Sequence, residues 1–241
     1  MRGRVALVTG AGKRVGRAIA VALGARGLHV VVHYNASADG ARDTVSEIER
    51  AGGTASLASA DLTDVDACNA LVDGVVSAHG ALHVLVNSAA MMERTPIGSV
   101  TQEAWDMMFA LNTRAPFFLS QRAAPHLKAT TGCIVNIADM AAFETWKGFV
   151  PHGMTKAAVV QMTRALAHAL APQVRVNAIA PGVVLLPDDF DAASAEHLRR
   201  TTPLERFGAP EDVAQAVLYL VDATFVTGEV IRVDGGRHVR R

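Results

Sequence analysis

Short apolar runs alternate along the chain with longer segments in which apolar residues recur at helical spacing. The short runs are rich in valine and isoleucine and lack a polar face, which is typical of strands buried on both sides of a parallel sheet. They predict strands at 5–9, 28–33, 54–60, 84–87, 133–138, 174–180 and 230–233. The periodic segments predict helices at 14–26, 37–51, 64–79, 101–127, 152–171 and 210–222.

This alternation predicts a single domain over residues 1–241. The expected fold is α/β, a doubly wound Rossmann-type parallel sheet of about seven strands with helices on both faces. Ser37 and Asp64 are expected to cap helices, and Gly80 is expected to end one. The longest irregular stretch, 182–200, follows a predicted strand, so it is a candidate lid over a ligand at the carboxyl edge of the sheet.

The composition restricts the partners more than the fold. Of 241 residues, 23 are Lys or Arg and 23 are Asp or Glu, so the formal net charge is zero. This balance gives no bulk attraction to nucleic acid or to an anionic membrane surface. The chain has no apolar run of membrane-spanning length and no signal-peptide pattern at its start, so we expect a cytoplasmic protein with a small-molecule substrate.

Cysteine and histidine usage gives no sign of a disulfide or a metal site. Cys68 and Cys133 lie in apolar stretches and are expected to be buried free thiols. The histidines at 29 and 33 fall on a predicted strand, which separates them too widely to share a metal. Between the histidines at 79 and 83, Gly80 ends a helix. We therefore predict no metal.

The first predicted strand leads into a glycine-rich turn, Thr9-Gly10-Ala11-Gly12-Lys13-Arg14-Val15-Gly16, and then into a helix. Glycine at positions 10, 12 and 16 lets the backbone turn sharply and approach a pyrophosphate. The helix N-terminus then offers free N–H groups to that anion. The turn is therefore predicted to bind a dinucleotide through Gly10, Gly12, Lys13, Arg14, Val15 and Gly16.

The end of the second strand distinguishes between the two nicotinamide dinucleotides. An NAD site usually has a carboxylate here that holds the ribose hydroxyls. This strand instead ends in His33-Tyr34-Asn35-Ala36-Ser37, with no acid before Asp39. A carboxylate would repel a 2′-phosphate. The side chains predicted to bind such a phosphate are those of Arg14, Asn35, Ser37 and His33. The chain is therefore predicted to use NADP(H), with Tyr34 beside the phosphate.

In its motifs and their order, the chain resembles the short-chain dehydrogenase/reductase family over essentially its whole length. Besides the glycine turn, the resemblance is carried by Asp61-Leu62, Asn87-Ser88-Ala89-Ala90, Asn112, Pro181-Gly182, Phe225-Val226-Thr227-Gly228 and Val233-Asp234-Gly235-Gly236. It implies that the adenine meets Asp61 and Leu62. Further cofactor contacts are implied for Asn87, Ser88 and Ala89, and, at the nicotinamide, for Pro181, Gly182 and Val184.

Within this family the chain is most similar to the pteridine reductase-like branch. That branch has an arginine in the glycine turn, as at Arg14, and a His-Tyr-x-x-Ser run after the second strand, as at 33–37. It has an Asp in place of the family's active-site Ser, and Asp139 stands at that position. The residue that corresponds to the branch's pterin-stacking aromatic is Met92. The resemblance implies NADPH-dependent reduction of a C=N bond in a pterin-like heterocycle or an imine.

The family's proton donor, the Tyr of a Tyr-x-x-x-Lys motif, is absent. At its position, 13 residues after Asp139, the chain reads His152-Gly153-Met154-Thr155-Lys156. Neither of the two tyrosines, Tyr34 and Tyr219, has a lysine four residues later. Residues i and i+4 share a helix face, so His152 and Lys156 are expected to project together. The resemblance implies that Lys156 grips the nicotinamide ribose and that Asn112 holds a water linking this lysine to solvent.

Three interpretations of His152 are open. A phenol titrates at about pH 10 and needs a cationic neighbour, whereas an imidazole titrates near neutrality and can deliver a proton directly. His152 and Asp139 would then form a modified proton-delivery system. Alternatively, His152 only binds substrate and the proton comes through Asp139 and water. In the third interpretation catalysis is lost, and the protein is an NADP-binding sensor or interaction module.

The substrate is less well defined than the cofactor. A ketone or aldehyde is the alternative to a C=N bond. Substrate contacts are predicted for Arg14, Met92, Trp146, Phe149 and Leu185. Trp146 and Phe149 lie between Asp139 and His152, where they could stack on a flat heterocycle, but packing in the core explains each of them equally well.

The resemblance also implies a homotetramer or homodimer formed through the long helices at 101–127 and 152–171. The second of these helices contains many alanines, which permits close packing between helices. A homo-oligomer is therefore the expected assembly.

Overall fold

The computed structural model describes residues 3–186 and 190–239. The strands are β1 (Val5–Val8), β2 (His29–Tyr34), β3 (Thr54–Ser59), β4 (Val84–Asn87), β5 (Cys133–Ile137), β6 (Arg175–Pro181) and β7 (Val230–Val233). They form one seven-stranded sheet in the order β3-β2-β1-β4-β5-β6-β7, and neighbouring strands pair in parallel. The predicted fold class is confirmed, and the strands lie where the apolar runs predicted them.

The α-helices of the described residues are α1 (Arg14–Ala25), α2 (Ala38–Arg50), α3 (Val65–His79), α4 (Gln102–Phe109), α5 (Ala115–Thr130), α6 (Val150–Leu170), α7 (Ala192–Thr201) and α8 (Pro210–Asp222). A π-helical turn, Ala110–Arg114, joins α4 to α5, and short 3₁₀ turns occur at Met140–Ala142 and Arg237–Val239. None of the described helices is long and apolar enough to cross a membrane.

The lack of a polar face in the apolar runs is explained by burial on both sides of the sheet. In β1, Ala6 and Val8 pack into one apolar cluster together with residues of α1 and α8. Val5 and Leu7 point the other way, into a cluster with residues of α3 and α5. All four side chains are at most 5% exposed. Since side chains alternate along a strand, both faces of the sheet must be covered by helices.

The strand order reverses at β1. The chain first moves outward through β2 and β3, then returns to place β4 on the other side of β1. The connections that leave β1 and β4 at their carboxyl ends therefore separate, and the crevice between them is the usual ligand site of such sheets.

Helix ends agree with the sequence signals in two of three cases. The Asp64 carboxylate accepts a hydrogen bond from the backbone N–H of Asp66 at the start of α3, and Gly80 ends that helix with φ +74°. Ser37 precedes α2 but makes no side-chain cap bond. Its ψ of 56° departs from the extended backbone of a normal N-cap, so the predicted cap is wrong.

The single long helix predicted at 101–127 is divided into α4, the π-helical turn and α5. Pro116 near the start of α5 has no backbone N–H, so the carbonyl of Asn112 lacks its ordinary helical partner. A π-turn adds a residue to the helical repeat, and apolar periodicity does not register so small a change. The turn contains Asn112, one of the predicted site residues.

The candidate lid at 182–200 is partly helical. Helix α7 begins after Asp191, whose carboxylate accepts a hydrogen bond from the backbone N–H of Ser194 at 2.8 Å. None of the residues of α7 is buried, so the helix has no apolar stripe to signal it in the sequence. The prediction of irregular structure is therefore wrong for this part. Residues 187–189 of the same stretch lie outside the described residues.

Both thiols are expected to be unreactive in the native protein. Cys68 and Cys133 are free and buried. Burial raises the pKa of Cys68 to about 11 and also raises the pKa of Cys133, and the thiolate is the reactive form. A disulfide-exchange reagent should label neither cysteine in the folded protein and both after denaturation. Rapid labelling of the native protein would contradict the packing around these residues.

Candidate active site

The turn after β1 is packed too tightly for side chains at its glycines. Gly10 has φ +64°, and a Cβ there would lie 2.9 Å from the Cα of Ala89, beyond the end of β4. A Cβ on Gly16 would collide with the carbonyl of Gly10, and one on Gly12 would lie 3.0 Å from the carbonyl oxygen of Ser37. Helix α1 starts without a side-chain cap, so its first N–H groups are available to a phosphate.

Arg14 has an unusual backbone conformation in this turn. Its φ is +53°, in the left-handed region that favours glycine. A side chain in this conformation costs about 1–2 kcal/mol, and such strain tends to occur at functional sites. The exposed guanidinium donates a hydrogen bond from Nη2 to the carbonyl of Leu185 at 3.3 Å. Arg14 thus bridges the glycine turn and the connection after β6.

His33, on strand β2, supports the glycine-rich turn through hydrogen bonds of its ring. Its ring is 2% exposed. Nδ1 accepts a hydrogen bond from the backbone N–H of Gly10, and Nε2 donates to the carbonyl of Ala60, both at 3.1 Å. Burial lowers the pKa of His33 to about 4. With both ring nitrogens engaged and the ring neutral, His33 is not placed to bind the 2′-phosphate, so the sequence-based assignment of that contact is corrected.

Two buried polar side chains organise the end of β4. The Thr9 hydroxyl donates to the carbonyl of Val86 and accepts from the backbone N–H groups of Ser88, at 2.9 Å, and Ala89, at 3.0 Å. The Asn87 amide donates to the side chains of Asn136, at 2.8 Å, and Ser120, at 3.2 Å. Thr9 was not among the predicted site residues. Asn87 was predicted to contact the cofactor; its amide nitrogen joins β4 to β5 and α5, while its buried Oδ1 has no hydrogen-bond partner among the described residues.

The predicted adenine and phosphate contacts differ in exposure. Asp61 is exposed, and its carboxylate accepts hydrogen bonds from the backbone N–H and hydroxyl of Thr63, which lower its pKa. Leu62 is 3% exposed and belongs to the core. Around the predicted 2′-phosphate position, Lys13 and Asn35 are exposed and Ser37 is half-buried. The carboxylate nearest along the chain, Asp39, pairs with Arg42.

Three predicted catalytic residues come together where β5 meets α6. The Asp139 carboxylate accepts a hydrogen bond from the backbone N–H of Ala141 at 2.8 Å. Its other oxygen, Oδ2, lies 3.7 Å from Nε2 of His152. His152 is 2% exposed, and neither of its ring nitrogens has a hydrogen-bond partner among the described residues. An unpaired buried polar atom costs about 1–3 kcal/mol, so the ring calls for a partner that the described residues do not supply.

Lys156 lies one helical turn after His152 and is 4% exposed. Its Nζ donates a hydrogen bond to the carbonyl of Ile137 at 2.9 Å. Burial lowers the pKa of Lys156, and the negative charge of Asp139 opposes that shift. Burial and this hydrogen bond fix the ammonium group at the end of β5, close enough to Asp139 to feel its charge.

Asn112 connects the segment after β4 to α6. Its side-chain oxygen accepts from the backbone N–H of Met91, and its amide nitrogen donates to the carbonyl of Met91, both at 2.8 Å. The same nitrogen donates to the hydroxyl of Thr155 at 3.2 Å, and Thr155 donates to the carbonyl of His152 at 2.7 Å. Asn112 therefore supports the first turn of α6 through Thr155.

The predicted substrate residues have different surroundings. Met92 is 52% exposed and Leu185 is 38% exposed. Trp146 packs against a buried cluster that contains Ala138 and Met140, so the alternative of core packing describes its position. Phe149 meets the edge of Trp146, with ring centroids 6.2 Å apart.

The predicted nicotinamide residues follow the end of β6. Pro181 is the last residue of that strand and is buried. Gly182 packs so closely that a Cβ there would lie 2.8 Å from the Cα of Asp234. Val184 packs against the apolar cluster on the α1 and α8 side of the sheet. These residues line the carboxyl edge of the sheet beyond β5.

Comparison with known proteins gives full-length matches. A family model described as Enoyl-(Acyl carrier protein) reductase matches residues 10–238. The 3beta-hydroxysteroid dehydrogenase 1 of Eggerthella lenta is 34% identical over 98% of this chain and 94% of its own length. The 3-oxoacyl-(acyl-carrier-protein) reductase of Staphylococcus aureus is 34% identical over 97% of this chain and 98% of its own length.

A solved structure also matches almost the whole chain. The 7 alpha-hydroxysteroid dehydrogenase complexed with NADH and 7-oxo glycochenodeoxycholic acid superposes with a TM-score of 0.93, at 33% identity over 98% of this chain and 94% of that one. The chain therefore belongs to the short-chain dehydrogenase/reductase family and is an oxidoreductase of that family. The resemblance to the family is confirmed, whereas the pteridine reductase-like branch is not.

The buried His33 predicts a specific loss of stability in acid. A pKa of about 4 in the folded protein lies below the unfolded value of about 6.5, so the unfolded chain binds the extra proton first. The stabilisation is complete above about pH 6.5 and is lost as the pH falls toward 4, by about 3 kcal/mol in total. Urea unfolding between pH 7 and 4 should show this loss relative to His33→Gln, which keeps polar side-chain atoms but does not titrate. Parallel pH curves for the two proteins would refute the assignment.

Proposed function

We propose that this protein is an NADP(H)-dependent oxidoreductase that interconverts a ketone and the corresponding secondary alcohol, with His152 as proton donor and acceptor. One observation carries the proposal: a buried imidazole, whose ring nitrogens have no hydrogen-bond partner among the described residues, lies 3.7 Å from Asp139, where the family has its tyrosine. The names of two relatives, a 3-oxoacyl reductase and a hydroxysteroid dehydrogenase, support a carbonyl substrate over a C=N bond.

The residues around the crevice fit a nicotinamide dinucleotide. The glycine turn leaves room for a pyrophosphate because side chains are excluded from it, and the start of α1 offers uncapped N–H groups. When bound, the nicotinamide nucleotide supplies or accepts the hydride. The residues proposed to hold it are Gly10, Gly12, Lys13, Arg14, Gly16, Tyr34, Asn35, Ser37, Asp61, Ser88, Ala89, Lys156, Pro181, Gly182 and Val184.

The proton path uses His152 directly. During reduction, the protonated imidazole donates its Nε2 proton to the carbonyl oxygen of the substrate. During oxidation, the neutral imidazole accepts the proton of the substrate hydroxyl. Asp139 stabilises the positive charge of the protonated ring. Its effect is strengthened because His152 and Lys156 are at most 4% exposed, and charges interact more strongly where water is excluded.

The preference for NADP(H) is proposed from the end of β2. The strand ends at Tyr34 without a carboxylate, and Asp39 is paired with Arg42. Lys13 and Arg14 are exposed on the glycine turn, and both can approach a 2′-phosphate. The solved relative was complexed with NADH, so cofactor choice in this chain needs its own test.

Reduction of a C=N bond is a second candidate, and Asp139 is the observation that favours it. An ionised carboxylate accepts a hydrogen bond and cannot donate one. It suits a substrate nitrogen that carries hydrogen better than it suits a ketone oxygen. The same feature suits a substrate hydroxyl, which can donate to Asp139, so the carbonyl proposal is compatible with the carboxylate in the oxidative direction.

We further propose a homotetramer or homodimer assembled through the long helices. A surface groove of about 960 Å³ lies beside α4 and α5, and its lining includes Met107, Phe117 and Met162. Met107 is 48% exposed and Phe117 is 40% exposed. An apolar groove on the face predicted for assembly supports burial of that face against a second copy.

Removal of the imidazole should separate catalysis from cofactor binding. His152→Ala should lower kcat by about 100-fold or more, the usual contribution of a positioned acid or base, with little change in the Kd for NADPH. His152→Tyr restores the Tyr-x-x-x-Lys motif. It should retain more activity than His152→Ala, with its optimum at higher pH. The assay is loss of NADPH absorbance with ketones, aldehydes, imines, dihydropterins and dihydrofolate.

Each result of this assay leads to a different conclusion. Turnover of C=N compounds alone would replace the carbonyl proposal by the second candidate. Tight NADPH binding without turnover of any compound would favour a sensor or interaction protein. Full activity of His152→Ala at every pH would exclude His152 as the proton donor.

A single substitution at the end of β2 tests the choice of cofactor. Tyr34→Asp places a carboxylate where it repels a 2′-phosphate and can bind ribose hydroxyls. It should shift the ratio of Kd values for NADPH and NADH toward NADH by about tenfold or more. Tyr34→Asn is the matched control, with similar shape and no charge. Equal ratios in wild type and Tyr34→Asp, measured by fluorescence titration, would contradict the proposed phosphate position.

A further inference from the structure

Asp139 and His152 lie at the two ends of one connection, residues 140–151, which we call the 140–151 segment. Their separation of 3.7 Å therefore depends on how this segment is held. At one end Asp139 binds the backbone of Ala141. Further along, the carbonyl of Gly148 accepts a hydrogen bond from the backbone N–H of Thr95 at 2.8 Å. The middle of the segment is held by a residue from the far end of the chain.

That contact is made by Glu144. Arg237 donates to both oxygens of its carboxylate, from Nε to Oε1 at 3.3 Å and from Nη2 to Oε2 at 3.0 Å. The indole N–H of Trp146 donates to Oε2 at 3.1 Å. The side chains of Arg237 and Glu144 are only 11% and 23% exposed. A bidentate pair shielded from water is stronger and better oriented than an ordinary surface ion pair.

Trp146 also contacts residues close to Asp139 and His152. It packs against the buried cluster that contains Ala138 and Met140, the two neighbours of Asp139 in the chain. It also meets the ring of Phe149, which immediately precedes α6 and accepts a backbone hydrogen bond from Gly153. The indole thus contacts both that cluster and the residue immediately before α6, the helix that carries His152.

The part of the chain that carries Arg237 is itself fixed. Asp234 accepts hydrogen bonds from the backbone N–H groups of Gly236 and His238 and contacts Nδ1 of His238 at 2.8 Å. Gly182 packs on the backbone of Asp234. Gly235 accepts a backbone hydrogen bond from Leu204, just beyond α7. Arg237 therefore projects from a rigid base that also contacts the connection after β6.

We propose that Arg237 is a positioning residue: through Glu144 and Trp146 it holds the 140–151 segment so that Asp139 and His152 face one another. Without the guanidinium, Glu144 is a partly buried carboxylate without its charge partner and turns toward water. Trp146 then loses its acceptor, and the segment relaxes. The proposal rests on the proposed function for its kinetic readout, and two further readouts need no substrate.

The first experiment follows Trp146 and His152 directly. In a Trp105→Phe background, Trp146 is the remaining tryptophan. Arg237→Met should shift its emission to the red and increase quenching by acrylamide. Carbethoxylation of His152 by diethylpyrocarbonate, followed by peptide mass spectrometry, should become several-fold faster, because the segment that buries the ring has loosened. Arg122→Met removes a bidentate pair with Asp73 on the surface and should change neither readout.

The second experiment measures kcat and KM on a substrate that the wild type turns over. Arg237→Met should lower kcat by about tenfold or more, since small misplacements of catalytic groups are costly, with the Kd for NADPH changed less than about twofold. Arg237→Lys should recover part of kcat. Glu144→Gln combined with Arg237→Met should be no worse than Arg237→Met alone, because the two residues act through one contact.

The outcomes separate the two proposals. If the wild type turns over no substrate, the proposed function fails, and the emission and carbethoxylation results decide the role of Arg237. Unchanged carbethoxylation of His152 in Arg237→Met and in Arg237→Lys would overturn the positioning role. It would also be overturned by unchanged kcat in a variant whose Trp146 emission has shifted, or by additive effects of the Glu144 and Arg237 substitutions.

Discussion

The close backbone contact between the turn after β1 and the end of β4 is the constraint on which the rest of the site depends. Gly10 approaches Ala89 to within the space of a single methyl group, and the Thr9 hydroxyl ties both segments together. His33 holds the turn from the β2 side. Because three strand ends converge here, the crevice is built largely from backbone and buried side chains. Its shape depends little on residues at the surface.

The replacement of a phenol by an imidazole changes what the surrounding residues must do. A phenol needs a neighbouring cation to lose its proton near neutral pH, whereas an imidazole does not. In the proposed mechanism Lys156 is not needed to activate a phenol, and its ammonium group is held by the carbonyl of Ile137 rather than by His152. In the same mechanism Asp139, 3.7 Å from His152, is the partner of the imidazole. Both proposed roles require Asp139 and His152 to face one another across the 140–151 segment that joins them.

Local patterns predicted most of the fold and part of the site. Strands such as β1 and β4 could be predicted because burial on both faces leaves a continuous apolar run. The spacing of His152 and Lys156 predicted that they share one helix face. Helix α7 could not be predicted from an apolar pattern because none of its residues is buried. The π-turn at Asn112 and the inward turn of His33 depend on packing across the sheet. The contact between Glu144 and Arg237 joins residues 93 positions apart, and no local pattern encodes it.

The left-handed backbone of Arg14 links ligand binding to the stability of the free protein. Glycine would adopt φ +53° without strain, so the free protein carries a conformational penalty for keeping a guanidinium at this position. The contact with Leu185 is exposed and offsets little of it. Binding of an anion by the guanidinium would offset the remaining strain energy. Replacing Arg14 by glycine would therefore relieve the backbone strain and remove the guanidinium in the same step.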